Sequence, residues 1–188
     1  MQFSDFAESA SRYVTELHEL ADSMRDKTEK QHKLLDSNAY QLAKDIVEPV
    51  SPPEREQSVP FFNFAPLDNS ITRLKNSAWE YDNAMARALS ANQPADSPRF
   101  AQVNEVLRHI EQQLIDDRGL PGRDWFKHII YAPGLHTGYG VKTMPGVREA
   151  IEERRWTEVD EYVPRISAAL NRVSDDLDRI VKILNSGS

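Results

Sequence analysis

Residues 157–184 read TEVDEYVPRISAALNRVSDDLDRIVKIL. Within them Val159, Val163, Ile166, Leu170, Val173, Leu177, Ile180 and Leu184 recur at alternating steps of four and three. That spacing is a heptad seam, the pattern of a helix packed nearly parallel or antiparallel to its neighbours. Thr157 with Asp160 resembles a capping box in which Asp replaces the usual Glu or Gln. Pro164, in the second turn, removes one hydrogen bond and bends the helix.

A helix with one long apolar stripe needs partners of the same period, and the chain supplies them upstream. Phe6, Ala10, Tyr13, Leu17, Leu20 and Met24 form one seam, continued by the mixed-charge run 25–33 as solvated helix. A short amphipathic stretch with Leu34, Leu35, Leu42 and Ile46 follows, and Pro49, Pro52 and Pro53 end it. The next seam is Leu67, Ile71, Leu74, Ala78, Tyr81, Met85 and Ala88, with Asp68 as its expected N-cap. After a turn at Asn92, Pro94 and Ser97, Ser97 and Pro98 supply an N-cap and a first-turn proline. They open a seam of Phe100, Val103, Leu107, Ile110 and Leu114. The spacing predicts an all-α fold, a four-helix bundle with axes crossing at roughly 20°. A single domain is expected over residues 1–185, with 186–188 a tail or expression scar.

Two connectors interrupt the pattern. Residues 49–66 are proline-rich and carry Phe61, Phe62 and Phe64, which either cap the end of the bundle or meet a partner domain. Residues 119–146, GLPGRDWFKHIIYAPGLHTGYGVKTMPG, hold six of the seven glycines and three prolines, with Trp125, Phe126, Tyr131 and Tyr139 among them. This crossover loop is too aromatic for disorder. It is either a packed functional loop or a strap needing many anchors. Pro145 and Gly146 then open a short helix through Val147, Ala150 and Ile151.

Composition narrows the chemistry. The 188 residues contain no cysteine, which excludes a disulfide framework, a thiol nucleophile and a thiolate zinc site. A net charge of −7 without a Lys/Arg cluster argues against nucleic acid as a partner. No apolar run reaches the roughly 18–20 residues of a membrane span, so no membrane contact is expected of this chain. His128 and His136, eight apart with Asp124 nearby, fit no helical metal-ligand spacing, and His18, His32 and His109 are isolated. No GxSxG elbow or GxGxxG phosphate loop occurs. The carboxylates Glu152, Glu153, Glu158, Asp160 and Glu161 alternate with bases as on a wet helix face. These residues do not make a self-contained enzyme.

The run 119–147 and its lead-in VNEVLRHIEQQLID resemble the C-terminal helical domain of the glutamate carboxypeptidase II and transferrin receptor family. The resemblance rests on Gly119-Leu120-Pro121, the segment His128-Ile129-Ile130-Tyr131-Ala132-Pro133, His136, Tyr139 and Pro145-Gly146, and is close over 103–147. It implies a transferrin receptor-like dimerisation domain, the last of three domains in type II membrane proteins. Its partners would be a second copy of itself and a peptidase-like domain of the parent chain. Zinc and the general base would belong to that other domain, leaving this one without cofactor or catalytic residue. The parent would be lumenal or extracellular, in an endosome or vacuole. The family loop reaches the active site, where a lysine and the next tyrosine hold a terminal glutamate. Here Tyr139 and His136 are the substrate-pocket candidates, while Gly138 stands at the lysine position. Three readings follow: a homodimerising domain, a substrate-pocket contributor to an active zinc exopeptidase, and a generic helical adaptor.

Overall fold

Among the described residues the chain forms six helices and one two-stranded hairpin: α1 (Ser4–Asp36), α2 (Ala39–Leu42), α3 (Ala65–Ser90), α4 (Pro98–His109), β1 (Tyr131–Pro133), β2 (Val141–Thr143), α5 (Pro145–Glu152) and α6 (Trp156–Asn185). A 3-10 turn, Ile110–Leu114, extends α4. The computed structural model describes residues 2–37, 39–42, 51–91, 94, 97–138 and 140–186. Ile46, Pro49, Asn92, Tyr139 and residues 187–188 of the expected tail lie outside them.

The four long helices carry the four heptad seams, but in α1 the buried stripe is Ala7, Ala10, Val14, Leu17 and Ala21, with the expected Phe6, Tyr13, Leu20 and Met24 only partly buried beside it. Every seam residue of α6 is buried, from Val159 to Leu184, and the stripe packs chiefly against α3. Leu67, Leu74, Ala78 and Tyr81 of α3 face it, and α1 covers the same side with Ala7, Ala10, Val14 and Leu17. Small residues on α1 and α3 let the backbones approach, while the leucines fill the seam at about 1.5–3 kcal/mol of transfer energy each. Charge also joins helices: the Phe3 and Ser4 N–H groups at the start of α1 donate to the Asp82 carboxylate of α3 at 3.0 and 3.1 Å. An anion at a helix N-terminus meets open N–H groups and the positive end of the dipole.

Helix starts were only partly readable. Ser97 caps α4 as expected, its Oγ accepting the Phe100 N–H at 3.4 Å. Asp68 is not an N-cap, because α3 begins at Ala65; its carboxylate instead meets His18 Nε2 at 3.0 Å. The capping box of Thr157 and Asp160 does not form either, since α6 starts at Trp156 after Arg155. Both helices begin where packing of Phe64 or the preceding turn sets the chain direction, overriding the local side-chain signal.

The proline-rich connector runs extended along the second half of α1. Arg25 donates to the Pro60 carbonyl at 3.0 Å, Gln31 to the Glu54 carbonyl at 3.2 Å, and Arg55 forks onto Asp36 at 2.7 and 3.2 Å. Its phenylalanines divide the two expectations between them. Phe64 is buried and Phe62 packs 5.6 Å from the Trp156 ring, so both cap the bundle. Phe61 is 86% exposed, with only Arg25 stacked on it at 4.0 Å.

Candidate functional site

The crossover loop is a strap, held at its start by α6. Arg165 donates from Nε to Asp116 at 2.7 Å and from an η nitrogen to the Gly119 carbonyl at 3.0 Å. The Tyr162 hydroxyl donates to that same carbonyl at 2.8 Å. The Arg165 guanidinium holds the Asp116 carboxyl below the usual carboxylate range. Leu120, Ile129 and Ile130 then enter the core, while the next residue, Tyr131, is 48% exposed. Tyr131 opens β1, which pairs antiparallel with β2 in the register Tyr131–Thr143, Ala132–Lys142 and Pro133–Val141.

A buried ion pair fixes the far side of the strap. Arg123 and Glu149 have side chains only 3% and 5% exposed, with Nη2 and Oε2 2.6 Å apart. Arg123 also donates to the Pro133 carbonyl, and the other Glu149 oxygen accepts the Leu135 N–H at 2.8 Å. The α5 carboxylate thus holds the start of the turn that follows β1, directly at Leu135 and through Arg123 at Pro133. The pair is 26 residues apart in sequence and carries no motif; only the rarity of an Arg and a Glu among buried segments hints at it.

The tip of the loop, 134–140, is where the family resemblance puts substrate contacts. Gly134 N–H donates to the Gly140 carbonyl at 2.9 Å, and Thr137 Oγ1 to the same carbonyl at 3.0 Å, closing a small ring of chain. His136 projects outward, 74% exposed, with Nε2 3.3 Å from Glu153. Gly138 has φ +60° and open space where a Cβ would be, so a longer side chain there would reach solvent at the cost of left-handed strain. Lys142, the nearest cation in sequence, is committed to Glu152 at 2.7 and 2.9 Å. Along the strap the side chains of Trp125, Tyr131, Leu135 and Val141 are exposed.

His128 and His136 are not brought together. The His128 ring lies 4.1 Å from the Tyr131 ring, at a cleft of about 340 Å³ lined by Phe3, Phe6, Ile110 and Leu114. Its Nδ1 accepts the Tyr131 N–H at 3.4 Å, and its Nε2 is buried with no partner among the described residues. Burial lowers the pKa of this ring, with the Glu111 charge opposing. Because the folded value lies below the unfolded 6.5, the unfolded chain binds the extra proton more readily. Stability is therefore expected to fall as pH drops below about 6.5 and to level off below the folded pKa. His128→Gln should flatten that part of the profile in urea unfolding at several pH values; an unchanged slope would contradict it. Among the described residues no group of three or more His, Cys, Asp or Glu could hold a metal. Nor is any helix among them long and apolar enough to cross a membrane.

The described residues thus form a helical bundle crossed by a strap that is tied down at Asp116, Gly119 and Arg123. Residues 62–178 match the family described as transferrin receptor-like dimerisation domain, and the chain belongs to that family. It is similar to a probable glutamate carboxypeptidase of Arthroderma benhamiae, 38% identical over 68 residues, which are 36% of this chain and 9% of that protein. A probable glutamate carboxypeptidase of Arabidopsis thaliana is 35% identical over 83 residues, 40% of this chain and 12% of the other. A protein of Schizosaccharomyces pombe named an inactive zinc metalloprotease is 26% identical over 114 residues, 61% of this chain and 14% of the other. The chain thus spans between 9% and 14% of the length of these three relatives.

Proposed function

We propose that residues 1–185 act as a single homodimerising unit of a glutamate carboxypeptidase-like membrane protein and are not catalytic by themselves. The observation that carries this reading is the family match over 62–178, joined to a bundle whose own core is complete. The peptidase-like domain of the parent, with any zinc it holds, would sit against the strap, where Trp125, Tyr131, Leu135 and Val141 offer an apolar surface. In this reading the chain lies in the lumenal or extracellular part of its parent. Two copies carrying different affinity tags, expressed together, should be recovered as a mixed complex on either tag. Recovery of the captured copy alone would overturn self-association.

A second reading is favoured by the tip of the strap: His136 and Tyr139 would line the substrate pocket of an active zinc exopeptidase. Gly138 bears on its specificity. A lysine there would supply a charge-assisted bond to a terminal carboxylate, of the kind contributing about 1.5–3 kcal/mol. The parent protein is accordingly expected to discriminate weakly between C-terminal glutamate and alanine or leucine in a peptide panel. Strong glutamate selectivity would refute that expectation.

A further inference from the structure

The solvent side of α3 carries a second heptad, opposite the one buried in the core. Asn69, Thr72, Asn76, Trp79, Asn83, Ala86 and Ser90 recur at steps of three and four, and none is charged, in a chain where 28% of residues are. All are exposed except half-buried Asn83, and Trp79 is 66% exposed at the middle. Three of them turn their polar ends back onto their own helix: Thr72 to the Asp68 carbonyl at 3.0 Å, Asn83 to that of Trp79 at 2.8 Å, Ser90 to that of Ala86 at 2.9 Å. A face so satisfied leaves few polar groups to strand when water is removed.

The charges beside this stripe are ordered. In heptad terms Asn69, Asn76, Asn83 and Ser90 are a positions, and Thr72, Trp79 and Ala86 are d positions. The preceding flank then holds Asp68, Lys75 and Asp82, and the following flank Arg73, Glu80 and Arg87. In a parallel helix pair each g position meets the e position five residues on in its partner. The three such meetings are Asp68 with Arg73, Lys75 with Glu80 and Asp82 with Arg87, all of opposite sign. An antiparallel pairing centred on Glu80 sets Arg73 against Arg87 and Glu80 against its own copy. Of these six charges Glu80 and Arg87 have no ion-pair partner among the described residues of their own chain. Arg73, by contrast, meets Asp175 and Asp178, Lys75 meets Glu8, Asp68 meets His18 and Asp82 accepts the Phe3 and Ser4 N–H groups, so each contact across the pair would join a charge already held within its own chain. Asparagine at a positions also favours a single register over greater stability. Trp79 lines a groove of about 420 Å³ together with Ser4, Ala7, Glu8, Lys75 and Asn76, so the middle of the seam borders a concavity between α1 and α3.

We propose that this face of α3 is where a second copy of the chain docks, the two α3 helices running parallel about a two-fold axis. The proposal rests on the self-association reading and adds the surface and direction to it. Only Trp79 and Ala86 are apolar in the seam, so the contact is weak and reversible in the isolated chain.

The absence of native cysteine makes the test direct. Asn76→Cys and Asn83→Cys each place one thiol opposite its own copy, within disulfide reach in a parallel pair. Both are expected to give a disulfide-linked dimer under mild oxidation, and Ser51→Cys on the exposed connector is not. Cross-linking only when the Asn76→Cys and Asn83→Cys chains are mixed would overturn the parallel direction. Lys75→Glu or Glu80→Lys alone should weaken association about tenfold, and the double exchange should restore it, with helicity unchanged by circular dichroism. If the wild-type chain dimerises but neither these changes nor Trp79→Glu affect it, this surface is wrong while self-association stands. A wild-type chain that does not associate, together with Asn76→Cys and Asn83→Cys chains that do not cross-link, overturns both.

Discussion

Glu149→Gln should destabilise the chain by about 3–5 kcal/mol, the largest effect expected of a single isosteric change here. The new side chain keeps its shape and can still accept the Leu135 N–H, so only the negative charge is lost. Arg123 is then a buried cation left with the Pro133 carbonyl and the Phe126 ring 5.7 Å away, its Nε already without a hydrogen bond among the described residues. Desolvation of the uncompensated guanidinium dominates, because the side chain is only 3% exposed and no other carboxylate among the described residues pairs with it. Urea unfolding should show a lower midpoint at unchanged slope. Adding Arg123→Met should cost little more, since the pair is already broken. A Glu149→Gln chain within about 0.5 kcal/mol of wild type would show that the pair is not the clamp described.

Gly146→Ala is the second large effect, expected at about 1–3 kcal/mol or somewhat more. A Cβ at this position would lie 2.1 Å from Cδ1 of Tyr162 and 2.7 Å from Cγ and Cε1. The ring cannot move aside cheaply. Its hydroxyl is bonded to the Gly119 carbonyl, and the Arg165 guanidinium sits 4.0 Å above its face. Relief must come from sliding α5 away from α6, which would also pull Glu149 from Arg123. Tyr162→Phe, which removes only the hydroxyl bond, should cost about 1 kcal/mol. The double variant Gly146→Ala with Tyr162→Ala should cost less than the sum of the singles. Strict additivity would mean the two residues do not touch.

The heptad seams were legible because one physical cause, burial of one stripe per helix, produced them. Leu17, Leu74, Leu170 and Leu177 are fully buried where period alone put them. Helix starts were less legible, because Asp68 and Thr157 carry capping side chains that packing leaves inside the helix. The strap showed its importance through glycine and aromatic density, but its clamps did not. Arg123 meets Glu149, and Gly119 meets Tyr162 and Arg165, across 26 to 46 residues with no shared period. Lys142 illustrates the limit most sharply: sequence put a cation near the tip, and only coordinates show it tied to Glu152. The uncharged seam on α3 was visible in principle, yet it becomes meaningful only once the opposite stripe is known to be the buried one.

The central proposal is that this chain associates with a second copy of itself, and it rests on the family match over residues 62–178 and on the charge order along α3. Sedimentation equilibrium of the 188-residue chain tests it most directly. The weight-average mass should rise with concentration from 21.5 kDa towards twice that value, as a reversible monomer–dimer equilibrium. A mass that stays at 21.5 kDa up to millimolar concentration would contradict the claim.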